Sequence, residues 1–330
     1  MLQGVLNGAM NTPGLLQAAL RGGRPHRTKI PPECANKYSI GATGTETTVC
    51  TITGSGCIKK IWLTNTTANL TFFARLKVYV DGEATASINL ELGTSFMVVG
   101  GTDLNRDAHT ENWEGSYRSG GLMRGVLHLP IPYSNGVVIK MENPSDASGG
   151  SAIGTGSYFF VNVEYTDEIT SPLRLKSSQA NWFTTAQVIY TATYDFMSVA
   201  AGKSGWLAFH NIAVDASTDL SAWERNYQFY DGATKIAETS GSEDFFLGAY
   251  YFWSDVPGGH TPPTNFRDWS YIYRSTTSTD YDGLRIMAAR DLLASGGWKF
   301  NNGATLRWNN DGQIVGHTSF VRHTTLWYEG

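Results

Sequence analysis

Along residues 75–80, Leu76, Val78 and Val80 alternate with Lys77 and Tyr79, and Asp81-Gly82 follow at once. Strict alternation sends every second side chain to the same side, so this stretch predicts a strand with one buried face. An Asp-Gly pair then supplies the positive φ that a tight hairpin turn demands. The same grammar recurs in "YSNGVVIKMEN" (133–143) and "YFFVNVEY" (158–165). Strands separated by Asp-Gly, Asn-Gly and Gly-Gly turns fill most of the chain, and about eight fall in each half.

The two halves follow one plan. Gly54-Ser55-Gly56 precedes "CIKKIWLTN", then "LKVYVDGE" (76–83), then "LGTSF" (92–96). In the second half Gly202-Lys203-Ser204-Gly205 precedes "WLAFHN", then "YQFYDGA" (227–233), then "GSEDFF" (241–246). Gly56 and Gly205 are 149 residues apart, the Asp-Gly turns at Asp81 and Asp231 are 150 apart, and Phe96 pairs with Phe245 at 149. Farther on, "YSNGVVIKMEN" meets "FNNGATLRWNN" (300–310). A fixed order at a fixed offset implies a duplicated unit.

Two eight-stranded units with long connections predict an all-β chain of two tandem jelly rolls, a double jelly roll, over residues 33–170 and 171–330. Pro172 and a Ser/Thr run after "YFFVNVEY" place the boundary. Residues 1–32 form a basic arm. Within it Thr12 can cap, Pro13 suits the first helical position and Gly22-Gly23 end a short helix carrying Leu15, Leu16, Ala19 and Leu20 as an apolar stripe. The long aromatic stretches "HTENWEGSYRSGGLMRG" (109–125) and "YYFWSDVPGGHTPPTNFRDWSYIYRS" (250–275) are expected as loops above the barrels.

Composition agrees with burial of a large core: 41% of residues are hydrophobic and 16% charged. The longest apolar runs are of strand length, too short to cross a bilayer. The arm holds Arg21, Arg24, Arg27 and Lys29 and no acid; with a chain total of −4, the remainder carries −8. A basic arm on an acidic body suits an anionic neighbour such as nucleic acid, lipid headgroups or an acidic subunit. Cys34, Cys50 and Cys57 are odd in number, match no zinc spacing and are expected as buried thiols. The N-terminus lacks a basic n-region and reads poorly as a signal peptide, so synthesis in the cytoplasm is expected. No cofactor motif is present: there is no phosphate-binding Gly loop, nucleophile elbow or metal-ligand spacing.

The remaining chemistry centres on "SGSEDFFLGAYYF" (240–252), two adjacent acids before a wall of aromatics. One reading is catalytic. The other is a turn whose acids bind backbone N–H groups while the aromatics fill the barrel. His210, inside an alternating strand, reads as a satisfied strand residue.

"GSGCIKKIWLT", "LKVYVDGE", "LPIPYSNGVVIKMEN", "GSEDFFLGAYYF" and the closing "TTLWYE" resemble the landmarks of glycoside hydrolase family 172, from about Gly54 to the C-terminus. The resemblance implies a trimeric double jelly roll that cleaves or rearranges furanosides, with Glu243 at the catalytic glutamate position. A glycosidase needs a second carboxyl group. From Asp244 to Tyr328 there is no Glu, so Asp282 or Asp280 would have to serve.

The overall plan also resembles the major capsid proteins of tailless icosahedral viruses. That resemblance implies homotrimers forming pseudo-hexameric capsomers in a virion, made in the host cytoplasm. Its partners would be neighbouring trimers, minor capsid proteins, and an internal membrane or genome reached by Arg21, Arg24, Arg27 and Lys29. The hydrolase alternative implies a cytoplasmic enzyme binding carbohydrate. The sequence reading expects the capsid role and no catalytic residues.

Overall fold

A computed structural model describes residues 29–30, 34–39, 41–65, 74–96, 106–118, 122–145, 158–168, 171–180, 193–215, 225–246, 270–274, 284–294, 297–309 and 321–330. The expected helix at residues 13–21 lies outside them. In the first half the strands are β1 (Ala35–Ser39), β2 (Thr45–Thr53), β3 (Gly56–Asn65), β4 (Arg75–Val80), β5 (Ile88–Glu91), β6 (Arg106–Thr110), β7 (Trp113–Arg118), β8 (Leu122–Leu127), β9 (Ile131–Tyr133), β10 (Gly136–Asn143) and β11 (Tyr158–Thr166). The second half holds β12 (Arg174–Ala180), β13 (Thr193–Val199), β14 (Gly205–Asp215), β15 (Asn226–Asp231), β16 (Thr234–Glu238), β17 (Ser270–Arg274), β18 (Leu284–Asp291), β19 (Trp298–Phe300), β20 (Ala304–Asn309) and β21 (Val321–Glu329). Two single-turn helices, α1 (Leu92–Ser95) and α2 (Ser242–Phe245), follow β5 and β16.

Each half is two facing sheets. One sheet of the first half runs β1-β11-β3-β8-β7-β6 with β9 also on β3, and the other runs β2-β10-β4-β5. In the second half the sheets run β12-β21-β14-β18-β17, with β19 also on β14, and β13-β20-β15-β16. Numbering the eight barrel strands of either half in chain order gives sheets 1-8-3-6 and 2-7-4-5. This is the jelly-roll winding, in which each strand pairs mostly with a distant one. The expected double jelly roll is therefore present, with extra strands on the third and sixth barrel strands.

One expectation fails here. Residues 109–125 are not a loop: β7 and part of β6 and β8 lie within them, and this hairpin widens the sheet. Gly115 and Gly125 hid the pattern. A Cβ at Gly115 would sit 1.8 Å from the Phe96 carbonyl and one at Gly125 2.8 Å from the Phe96 ring, so both positions must be bare to seat Phe96. Part of the second expected loop is likewise strand, β17.

The repeated turns prove to hold each other. Asp81, at φ 55°, accepts backbone N–H from Ser134 (2.7 Å), Asn135 (2.6 Å) and Gly136 (3.3 Å). Asp231 accepts from Asn301 (2.8 Å) and Asn302 (2.9 Å) in the same way. The Asp-Gly turn of each roll thus clasps its Asn-Gly turn, which is why both dipeptides recur together.

The rolls join along a seam. Ser177 of β12 donates its N–H to the Ser87 carbonyl at 3.0 Å. Its Oγ accepts the Asn89 N–H at 2.8 Å, while Gln179 Oε1 accepts the Glu91 N–H at 2.8 Å. Arg174 reaches Asp81 at 2.7 Å and Lys176 reaches Glu83 at 2.8 Å. Behind the seam, Phe209, Leu326 and Tyr328 of the second roll join the first roll's apolar core.

The cysteines correct another expectation. Cys34 and Cys50 form a disulfide, and Cys57 is a buried thiol. Their spacing of 16 carries no signal because stacking of the two facing sheets brings them together.

Candidate functional site

The acidic turn is built from the core outward. Gly241 leads into α2 in extended backbone, and Phe245 and Phe246 at its end are fully buried. The Phe245 ring stacks on Tyr227 at 4.0 Å, and Phe246 meets the same ring edge-on at 5.6 Å. Ser242 Oγ donates to the Arg225 carbonyl at 3.1 Å and accepts from Trp308 Nε1 at 2.8 Å. Arg290 donates to the Phe245 carbonyl at 2.6 Å and lies over that ring at 5.2 Å. Burial lowers the Arg290 pKa to about 10, which leaves it charged near neutral pH.

The predicted site residues divide by place. Glu243 lies in the α2 backbone, but its side chain is outside the described residues, as are Asp280 and Asp282. Asp244 is exposed and accepts from Ser240. The helical offset between α1 and α2 is 150, so the counterpart of Phe96 is Phe246 and not Phe245. Arg21, Arg24 and Arg27 lie outside the described residues. Lys29 is tied into the first roll: its backbone exchanges hydrogen bonds with Tyr165 (2.8 and 3.0 Å) and its ammonium pairs with Asp167.

Every acid of the second roll whose side chain is described is bonded within the chain. Asp195 takes a two-point bond from Arg307 at 2.6 and 2.9 Å. Asp231 holds the turn clasp. Glu238 is bonded by Gln228 at 2.6 Å and by Lys235, and Glu329 accepts from Trp327 Nε1 at 2.8 Å.

Asp291 is buried at the roll junction. It accepts from Thr110 Oγ1 (3.1 Å), Asn112 N–H and Nδ2 (both 2.9 Å) and Ala294 N–H (3.0 Å). Burial pushes its carboxyl up to about 6 against the pull of those donors.

His210 bonds Thr325 Oγ1 at 2.8 Å and Tyr227 OH at 3.1 Å inside the barrel. Burial, then the neighbouring His323, push its pKa well below the ordinary value, and burial alone takes His323 to about 3. Two sealed, neutral imidazoles bracing rings are structural; a general base must be reachable.

The sequence reading missed the junction acids Glu91 and Asp291. Glu91 is buried, accepts from Thr94 Oγ1 at 2.8 Å and stands 3.6 Å from the Arg322 guanidinium. Its place in the repeat, opposite Gly241, is the signal that marks it as particular to the first roll.

On the first roll's outer face a groove of about 480 Å³ runs past Thr51, Tyr79, Asp81, Glu83 and Lys140. Its two acids are engaged by Arg174 and Lys176. Nearby, burial raises the Glu46 carboxyl, but hydrogen bonds from Lys140 (2.7 Å), Lys77 (2.9 Å) and Tyr79 (2.8 Å) outweigh it and hold the pKa at about 2. The groove is a salt-bridged sheet face. Among the described residues no group of three His, Cys, Asp or Glu is placed to hold a metal ion.

Comparison with known proteins adds the following. Residues 34–170 match the family described as the GH172 first beta-sandwich domain, so the first roll resembles that domain. No curated protein matches the chain. Among solved structures, the crystal structure of the STIV MCP is 10% identical, with a TM-score of 0.45 over 92% of this chain and 97% of that one. The atomic structure of Sulfolobus Turreted Icosahedral Virus includes a chain 9% identical, with a TM-score of 0.42 over 92% of this chain and 90% of that one.

Proposed function

We propose that the chain is a structural virion protein, the major capsid protein of a tailless icosahedral virus, whose homotrimers form pseudo-hexameric capsomers. Trimers pack side by side, and the residues before Lys29, with Arg21, Arg24 and Arg27, point inward to a membrane, the genome or a minor protein. The observation that carries this over catalysis is the use of α2 as a packing device. Phe245, Phe246 and Ser242 anchor the turn in the core, and the described acids around the second barrel are spent on holding it together. A glycosidase needs one carboxyl group held protonated beside an open cleft and another left ionised. Burial of Asp291 raises its pKa, yet it is sealed between the rolls.

The second reading is a furanosidase acting through Glu243 with Asp282 or Asp280, favoured by the match of residues 34–170 to the GH172 domain. One experiment separates the two. The purified chain is offered a panel of chromogenic furanosides beside its Glu243→Gln variant while aliquots are imaged by electron microscopy. The capsid reading expects trimers in sheets or shells and no hydrolysis above buffer. Turnover that disappears in Glu243→Gln overturns it.

A further inference from the structure

The seam between the rolls has an open counterpart. Within the chain, β12 covers the β5 edge, so Ser87, Ile88, Leu90 and Glu91 are all buried. The matching strand of the second roll, β16, ends its sheet, and Thr234, Lys235, Ile236 and Glu238 are exposed. At the other end of the chain, β1 ends its own sheet as β12 does. Among the described residues, one covered seam therefore leaves one uncovered edge of each kind.

The register says which residues correspond. Lys176 lies opposite Trp327, which lies opposite Leu207; Lys29 lies opposite Tyr165, which lies opposite Ile58. Gly56 and Gly205 open β3 and β14, so Lys29 is the counterpart of Lys176 and Ile30 of Ser177, the residue at the centre of the seam. The sequence repeats too, Arg27-Thr28-Lys29 against Arg174-Leu175-Lys176. On the opposing edge the offset of 150 holds from Asp81 and Asp231 to α1 and α2. Ala237 is thus the counterpart of Ser87, and Ile236 of Ala86.

Among the described residues three large apolar side chains are exposed: Ile30 at 47%, Tyr158 at 37% and Ile236 at 50%. Ile236 lies on β16, Ile30 follows the Lys29 bridge to β11 on the β1 side of that sheet, and Tyr158 of β11 lies opposite Ser39 at the end of β1. An open strand edge carrying isoleucine invites pairing, and the two charges on β16, Lys235 and Glu238, are already paired with each other.

We infer that the chain pairs with copies of itself edge to edge, the β16 edge of one copy taking the β1 edge of the next as β5 takes β12, with Ile236 and its neighbour Ala237 beside Ile30 where the internal seam has Ala86 and Ser87 beside Ser177. The contact is head to tail, so it propagates and can close into a ring. This rests on the self-assembly reading and names its surfaces.

The test is Ile30→Cys/Ile236→Cys in the full chain under mild oxidation, read on a non-reducing denaturing gel. The parent and each single variant serve as controls, since Cys34 and Cys50 are paired and Cys57 is buried. Bands of two and three linked chains are expected from the double variant alone. Independently, Ile236→Asp is expected to raise the dissociation constant of the assembly at least tenfold by sedimentation. An assembly that forms no cross-link and ignores Ile236→Asp overturns the edge pairing and leaves self-assembly standing. A monomer at every concentration overturns both.

Discussion

Asp291 is where the junction of the rolls is most exposed to a quantitative test. Its carboxylate sits among donors from both rolls, and burial still raises its pKa from 3.8 to about 6. A folded-state pKa above the unfolded value means that protonation favours the fold. The stability this group contributes is complete below pH 3.8 and is lost as pH climbs through 6. About two units at ~1.36 kcal/mol each make that loss about 3 kcal/mol.

Asp291→Asn cannot titrate, and it places an amide NH₂ among donors that need an acceptor, a cost of about 1–3 kcal/mol. Denaturant unfolding followed by tryptophan fluorescence at pH 4, 5.5 and 7 should find the parent about 1–3 kcal/mol more stable than the variant at pH 4. That advantage should shrink by about 2.4 kcal/mol by pH 7. A gap that stays constant or widens with rising pH refutes the reasoning, because it means that the four donors outweigh burial.

Phe245→Ala should destabilise by about 3–5 kcal/mol, since a fully buried ring stacked on Tyr227 leaves a cavity; a urea midpoint unchanged from the parent contradicts α2 as a core anchor. Reducing Cys34–Cys50, which closes a loop of 16 residues, should cost about 3 kcal/mol, seen as a lower thermal midpoint in dithiothreitol than without it, the Cys34→Ser/Cys50→Ser variant showing no such difference. Gly205→Ala should prevent correct pairing of β14 with β21, because its Cβ would sit 1.8 Å from the Tyr328 carbonyl; a variant with the parent's near-ultraviolet circular dichroism contradicts that.

Much of this architecture is legible in the chain. Alternation in Leu76, Val78 and Val80 marks a half-buried strand, and the Asp-Gly and Asn-Gly pairs mark turns whose mutual clasp only the fold reveals. The β6–β7 hairpin escapes notice because its glycines answer to Phe96, a residue distant in sequence. The disulfide escapes because sheet stacking sets it. The repeat offset is off by one at Phe245 because the landmark aromatics are consecutive, and turn geometry decides which is equivalent to Phe96. The unequal edges cannot be read from pattern at all: β5 and β16 differ in what lies beside them, which depends on the placement of the second roll.

The role proposed for this chain is to build a shell. Electron microscopy of the purified full chain across a concentration series tests it most directly. The account predicts three-lobed particles with a six-sided outline that pack edge to edge into sheets or closed shells. Uniform single-chain particles at every concentration contradict it.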